Sequence, residues 1–273
     1  YLAIAVLAFV SYLLAGMSAF DAICHALSVC ATGGFSTRAL SIGAFDSRLI
    51  EGLTMLFMFL SSIHFGMIYM AVVTRSLKPF RNPILKTYVI SLAVFTLCLA
   101  AVLKFDGFDQ SWGRTIWDSA FTTLSIASTS GFATIDNAGW PMQASILTMC
   151  MGVMCGCAGS TTGGLKVDRV IALFKAIRRQ VSLFLHPSAV RDVKIGKRSL
   201  RDDEVSSQIL YIALFSLMLV VSVFLCLLLG VSAHNAFAAT VSSLSNVGPA
   251  IEELGLMGSF NSVPSTAKFL YTM

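Results

Sequence analysis

Three short stretches constrain this chain more than anything else in it: Ala31-Thr32-Gly33-Gly34-Phe35, Ser128-Thr129-Ser130-Gly131-Phe132 and Leu244-Ser245-Asn246-Val247-Gly248-Pro249. Each closes a brief apolar segment. Asp21, Asp118 and Asn235 stand 13 positions before Gly34, Gly131 and Gly248 respectively. Asp and Asn suit a helix N-cap, and about ten helical residues rise roughly 15 Å. That is half of a bilayer core of roughly 30 Å. The spacing therefore predicts three re-entrant helices, each ending in a glycine loop near the membrane midplane.

Composition places these loops in lipid. Of 273 residues 56% are hydrophobic and 12% charged, with a mean hydropathy of +0.80, whereas soluble domains carry about 25% charged residues. A polytopic all-α membrane protein follows. The net charge of +5 is modest and bears on topology rather than on nucleic acid. The seven cysteines sit almost wholly in apolar surroundings and read as small core residues, not as a disulfide or metal framework. The chain opens at Tyr1 inside an apolar run without a basic leader and stops at Met273 as another apolar segment begins. Both ends are expected to continue in a longer protein.

Along the chain, residues 1–20 form or complete a span, and 22–37 make the first re-entrant segment. Gly52–Thr74 reads as a second span, followed by a basic loop from Arg75 to Lys86. Thr87–Leu103 spans, Asp118–Phe132 re-enters, and Met142–Leu165 spans. A basic region runs from Lys166 to Glu204, then Ser206–Ser232 spans, Asn235–Gly248 re-enters and Ser265–Met273 begins a last helix. The two loops assigned to the cytoplasm hold fourteen of the nineteen Lys and Arg residues, as the positive-inside bias requires. Asp46, Glu51, Asp106, Asp109, Asp136, Glu252 and Glu253 fall outside. The repeating unit is helix, pore helix, filter loop, helix: 1–80, 81–185 with a broken second helix, a linker at 186–205, and a truncated unit at 206–273. All units point one way, so they are expected to arrange around an axis along the membrane normal.

A dehydrated cation in a bilayer needs oxygens to replace its water shell, and backbone carbonyls supply them. Aiming consecutive carbonyls at one axis takes backbone dihedrals that glycine accepts readily. Thr32, Gly33 and Gly34, then Thr129, Ser130 and Gly131, then Asn246, Val247 and Gly248 are the candidate ion-binding residues, with K⁺ as the transported ion and no cofactor. One Thr-x-Gly would be an ordinary helix end; three at one offset are read as a filter.

Gly156, Gly159, Ser160, Gly163 and Gly164 break the helix of the middle unit. A flexible helix end is one reading. The sharper one is a loop that stays in the membrane beneath the filter and obstructs it. Lys166 and Arg169 mark the cytoplasmic boundary and read as anchors. His64 reads as a packing residue within its span. His25 and His234 lie near pore-helix starts, where capping and a surface role fit equally. Asp21 and Asp118 read as caps, and Trp112, Trp117 and Trp140 as an interfacial belt.

At Ala31–Thr37, Thr129–Thr134, the Gly156–Gly164 stretch with Leu165-Lys166-Val167, and Ser245–Pro249, the sequence resembles the Trk/Ktr/HKT superfamily of potassium and sometimes sodium transporters, most closely its bacterial Trk-type branch. The resemblance covers essentially the whole chain. It implies four helix–pore–helix repeats around one pathway, of which this chain holds repeats two, three and part of four. Gly34, Gly131 and Gly248 become filter glycines and the broken helix an intramembrane gate. It also implies a multi-pass inner-membrane location amid lipid, a homodimer, and a cytosolic nucleotide-binding regulatory ring docked on the basic region. Ala250 stands where many relatives carry glycine. Non-enzymatic potassium transport is the expectation. Competing readings are a potassium/sodium symporter-like protein, a non-conducting scaffold fragment, and an intramembrane hydrolase using Ser160 or His64.

Overall fold

The computed structural model describes residues 1–108, 110–137, 139–186, 192–196, 198–248 and 264–272. Asp109, Pro249, Ala250, Glu252 and Glu253 lie outside them. Helices α1 (Leu2–Leu14), α2 (Ala19–Cys30), α3 (Arg48–Ser62) and α4 (Phe65–Thr74) form the first unit. The second comprises α5 (Pro83–Phe105), α6 (Trp112–Ala127), α7 (Met142–Val153) and α8 (Val167–Leu185). The two-residue strands β1 (Met154–Cys155) and β2 (Leu165–Lys166) lie between α7 and α8. The hairpin β3 (Lys194–Ile195) and β4 (Arg198–Ser199) precedes α9 (Asp202–Leu228), α10 (Ala233–Ser245) and α11 (Ser265–Thr272).

Helices α5 and α9 are long and apolar enough to cross a bilayer. The faces of α9 present Leu210, Leu214, Leu217, Val220 and Phe224 outward, the pattern of a helix whose solvent is hydrocarbon. The expected span Gly52–Thr74 is not one helix. It bends by 96° between α3 and α4. Ile63 and His64 are extended there, and the His64 imidazole accepts from the Gly66 N–H at 2.8 Å as an N-cap.

The three short helices α2, α6 and α10 are present, but their caps are not the expected ones. Ser18, Ser111 and Ser232 cap them, each hydroxyl accepting from the backbone N–H three residues on. Asp21 and Asn235 occupy that third position, where the Asp21 carboxylate also accepts from Ser18 Oγ at 2.9 Å. Asp118 lies a turn further in because α6 has 16 residues against 12 and 13 for its counterparts. The offset from each glycine is thus common to all three, while the helix start is not.

Asp118 serves α6 as an ion-pair partner. Arg114 Nε lies 2.9 Å from Asp118 Oδ2 and Arg114 Nη2 lies 3.6 Å from Glu51 Oε1 on α3. Trp117 Nε1 donates to Glu51 Oε2 at 2.5 Å. Glu51, expected in an external loop, is buried in the first turn of α3. Trp117 is committed to this cluster and Trp140 is buried beside Leu99, Leu103 and Ala144, while Trp112 is exposed. Around the first unit, Tyr12, Phe57, Met58, Phe121 and Phe132 pack in one core that joins α1, α2, α3 and α6. The Tyr12 hydroxyl donates to Thr54 Oγ1 at 3.1 Å.

Removing one partner of a buried ion pair leaves uncompensated charge and costs about 3–5 kcal/mol. Arg114→Met strands two carboxylates, and we expect a clear fall in the thermal melting midpoint of the detergent-solubilised protein. Arg114→Lys should recover part of it. A midpoint unchanged by Arg114→Met would show that the cluster does not hold α3 to α6.

Candidate functional site

The ends of the three short helices are alike bond for bond. After α2, the Thr32 N–H donates to the Val29 carbonyl and the Gly33 N–H to Ser28. After α6, Thr129 donates to Ile126 and Ser130 to Ser125; after α10, Asn246 donates to Ser243 and Val247 to Ser242. This is the Schellman pattern, in which a left-handed residue closes the helix. Glycine usually takes that place, yet here it is held by Thr32 (φ +52°), Thr129 (φ +53°) and Asn246 (φ +57°). Two residues later Gly34, Gly131 and Gly248 are again left-handed, at φ +67°, +74° and +96°. Alternating left-handed residues turn the intervening peptides off the helix axis. The requirement for glycine at Gly34 is steric as well. A Cβ there would sit 1.7 Å from the Ser130 carbonyl oxygen, so the first and second loops run side by side.

Hydroxyls brace the middle loop. Ser125 Oγ donates to the Phe132 carbonyl at 2.7 Å, and Ser128 and Ser130 share a bond at 2.8 Å. Ser128, Thr129 and Ser130 are fully buried, whereas Gly33, Asn246 and Gly248 are exposed. The middle loop is enclosed by its neighbours on both sides.

The glycine-rich loop from Gly156 to Gly164 lies directly against these helix ends. It leaves α7 at β1 and returns at β2, which pairs with β1 in parallel, Met154 opposite Leu165 and Cys155 opposite Lys166. Its contacts reach all three units. Thr161 Oγ1 donates to the carbonyls of Cys30 and Ser61, each at 3.2 Å. Thr32 Oγ1 donates to the Thr161 carbonyl at 3.2 Å, and the Gly163 N–H donates to Thr129 Oγ1 at 3.0 Å. A Cβ on Gly163 would fall 2.2 Å from the Ser245 carbonyl oxygen and one on Gly164 2.5 Å from Cys155 Sγ. The loop is glycine-rich because the backbone of Ser62 and Ser245, the Cys155 sulfur and the His64 ring all press against it.

Sequence reasoning missed the partner that holds the loop from the other side. The break between α3 and α4 frees the Ser61 and Ser62 carbonyls, and these accept from the N–H groups of Thr161 (3.4 Å) and Cys157 (2.9 Å). The Phe65 N–H donates back to the Gly159 carbonyl at 3.1 Å. His64 is exposed, not packed in a span, and a Cβ on Gly159 would lie 3.0 Å from its ring. Asp168 Oδ1 accepts from the Ala158 N–H at 2.7 Å. The Lys166 ammonium folds back onto the Thr162 carbonyl and hydroxyl instead of anchoring outward. Arg169 does tie helices together, its guanidinium stacking 3.7 Å over the Tyr211 ring of α9. Ser160 Oγ donates to the Cys157 carbonyl at 2.6 Å and shares a bond with Thr162 Oγ1, while His64 Nδ1 is taken by Gly66. Among the described residues no hydrogen bond joins Ser160 to His64.

What this site can do follows from its chemistry. It gathers peptide and hydroxyl oxygens at the C-terminal, partially negative ends of three helices. The chain is 36% identical over 259 residues to the Trk system potassium uptake protein TrkH of Escherichia coli K12, covering 94% of this chain and 53% of that protein. It is likewise 36% identical over 267 residues to the TrkH of Salmonella typhimurium LT2. The crystal structure of the potassium transporter TrkH from Vibrio parahaemolyticus superposes with a TM-score of 0.91 at 31% identity, over 99% of this chain and 58% of that one. The chain thus spans about half the length of the relatives it matches. Since the family model described as cation transport protein, TrkH, also matches residues 1–270, the chain belongs to the TrkH family of membrane proteins.

Proposed function

We propose that the chain forms most of the wall of a potassium pathway, with Thr32–Gly34, Thr129–Gly131 and Asn246–Gly248 as the selectivity filter and the loop Gly156–Gly164 as its gate. The observation that carries this reading is the threefold recurrence of one strained helix end, left-handed at a non-glycine residue and again at a glycine two positions later. A left-handed non-glycine residue costs about 1–2 kcal/mol. Three equivalent copies against one loop are hard to explain as packing alone. Potassium is the proposed ion because the relatives named above are potassium uptake proteins.

The gate reading rests on the loop's bonds to two of the filter threonines, Thr32 and Thr129. In this arrangement Gly159, Ser160 and their neighbours block the path below the filter, and opening requires the loop to leave the Ser61 and Ser62 carbonyls. Gly156 is equally confined, since a Cβ there would sit 2.7 Å from the Ser62 carbonyl oxygen. We further propose that the units at 1–80, 81–185 and 206–273 are successive repeats joined by the linker 186–205. The complete protein would be a multi-pass protein of the inner membrane, homodimeric, with a nucleotide-binding ring on its cytosolic face.

Two substitutions test the two parts separately, each in the complete natural protein reconstituted into liposomes. Gly131→Val puts a β-branched side chain at φ +74° and should abolish rubidium flux while the protein still inserts; flux at the unsubstituted rate would defeat the filter assignment. Thr161→Val keeps the volume but removes a hydroxyl that bonds Cys30 and Ser61. At about 1 kcal/mol per net hydrogen bond, resting flux should rise roughly five- to tenfold. No rise would count against the loop as the gate.

A further inference from the structure

Behind the proposed filter lies an imidazole that the transport reading leaves unused. His25, on the second turn of α2, is wholly buried, at 0% exposure. Sequence left open whether it caps a helix or faces water; it does neither. Its Nδ1 is 2.7 Å from the Asp21 carbonyl oxygen and its Nε2 is 2.9 Å from Ser36 Oγ. A carbonyl only accepts, so Nδ1 carries the proton and Nε2 is left to accept from the Ser36 hydroxyl. Ser36 Oγ in turn accepts from the Arg38 N–H at 3.1 Å, which leaves its own proton for the imidazole.

The ring also reaches the second filter loop. It stacks on Phe132, with centroids 6.0 Å apart and planes inclined by 23°, and meets Phe45 edge-on at 5.3 Å. Ser36 follows Gly34 by two residues and Phe132 follows Gly131 directly. Just beyond, the Ala133 N–H donates to Ser41 Oγ, and the Ala133 carbonyl accepts from the Gly43 N–H at 3.0 Å. One side chain therefore joins the outgoing strands of two adjacent filter loops. A phenylalanine would fill the same volume; what His25 adds is a fixed acceptor for Ser36.

We propose that His25 is a positioning residue for ion selection, fixing the separation of the loops at 32–36 and 129–133 and so limiting how far their carbonyls close on a cation smaller than potassium. The inference rests on the filter reading above. Carbonyl oxygens are mobile dipoles, and a cavity size held by surroundings that resist contraction is one of two ways in which a ring of them disfavours a small ion, the other being the number and field strength of the dipoles. The bond from Ser36 to His25 and the stack on Phe132 are two points of that resistance.

The test is potassium uptake competed by sodium, in liposomes holding the complete natural protein. Asparagine carries an amide near the Nδ1 position alone, whereas the longer glutamine places one near Nε2, within reach of Ser36. His25→Asn should lower the preference for potassium over sodium roughly fivefold, the size of one lost buried hydrogen bond. His25→Gln should stay near the unsubstituted ratio. Ser36→Ala should reproduce the loss, and the double variant His25→Asn/Ser36→Ala should be no worse than either single one, as coupled partners require. Equal ratios in the Asn and Gln variants, or losses that add in the double variant, would overturn the proposal. If His25→Asn does not accumulate in the membrane, Ser36→Ala decides: an unchanged ratio overturns the proposal. Gly131→Val is the control for the reading beneath it, because wild-type transport in that variant sinks the filter assignment and this inference together.

Discussion

A peptide group released from a helix inside hydrocarbon has no water to bond, and each one left unpaired costs several kcal/mol. This constraint shapes the centre of the molecule. Helix α7 stops at Val153 and α3 at Ser62, two breaks that would each be ruinous alone. They are placed so that each satisfies the other: carbonyls of Ser61 and Ser62 take N–H groups from Thr161 and Cys157, and Gly159 takes that of Phe65. The irregular loop keeps its peptide groups paired because a second irregularity lies opposite it. Two more of its peptide groups turn to the ends of α2 and α6, the Thr161 carbonyl accepting from Thr32 Oγ1 and the Gly163 N–H donating to Thr129 Oγ1.

The same economy accounts for residues that local preference would exclude. Glycine is the natural occupant of a left-handed closing position, and Thr32, Thr129 and Asn246 hold it instead. A glycine would relieve the backbone but supply no side-chain oxygen. Thr32 uses its hydroxyl to bond the Ala31 and Thr161 carbonyls, and Thr129 uses its own to receive the Gly163 N–H. The local strain of a β-branched residue is offset by bonds that only its side chain makes. Asn246, at the third end, is a residue that tolerates this conformation better, and it meets the loop through its Cβ near Gly163.

Much of this was legible from sequence, for definite reasons. Left-handed backbone and close approach select glycine, so Gly34, Gly131, Gly163 and Gly164 advertise their surroundings. Long uncharged runs predicted α5 and α9 to within a few residues. The break at Ile63-His64 was not legible: no glycine or proline stands between Ser62 and Phe65, and the run stays uncharged from Gly52 to Thr74. Its only local signal is His64 two residues before Gly66, a capping geometry that histidine rarely supplies. The cap positions failed for a different reason. A polar residue 13 places before each glycine was a real regularity, but what it marked was a polar position shared by the three pore helices, and α6 carries an extra turn before it. Burial of charge was only half visible: Arg114 and Asp118 pair one turn apart within α6, but Glu51 meets Arg114 only through the packing of α3 on α6.

The filter and the loop beneath it share atoms, and that has a thermodynamic consequence for the function proposed here. Thr32 and Thr129 belong to the helix ends that would bind the ion, and they are also the anchors of the loop that would block it. An ion that draws those residues into a different arrangement changes the free energy of holding the loop, and a displaced loop changes ion affinity by the same factor. Coupling of this kind needs no long pathway across the protein. The loop's other supports include the α3–α4 break and Asp168. On the proposed reading, a displacement of those supports would act on the helix ends through the loop, and ion occupancy would act back through the same element.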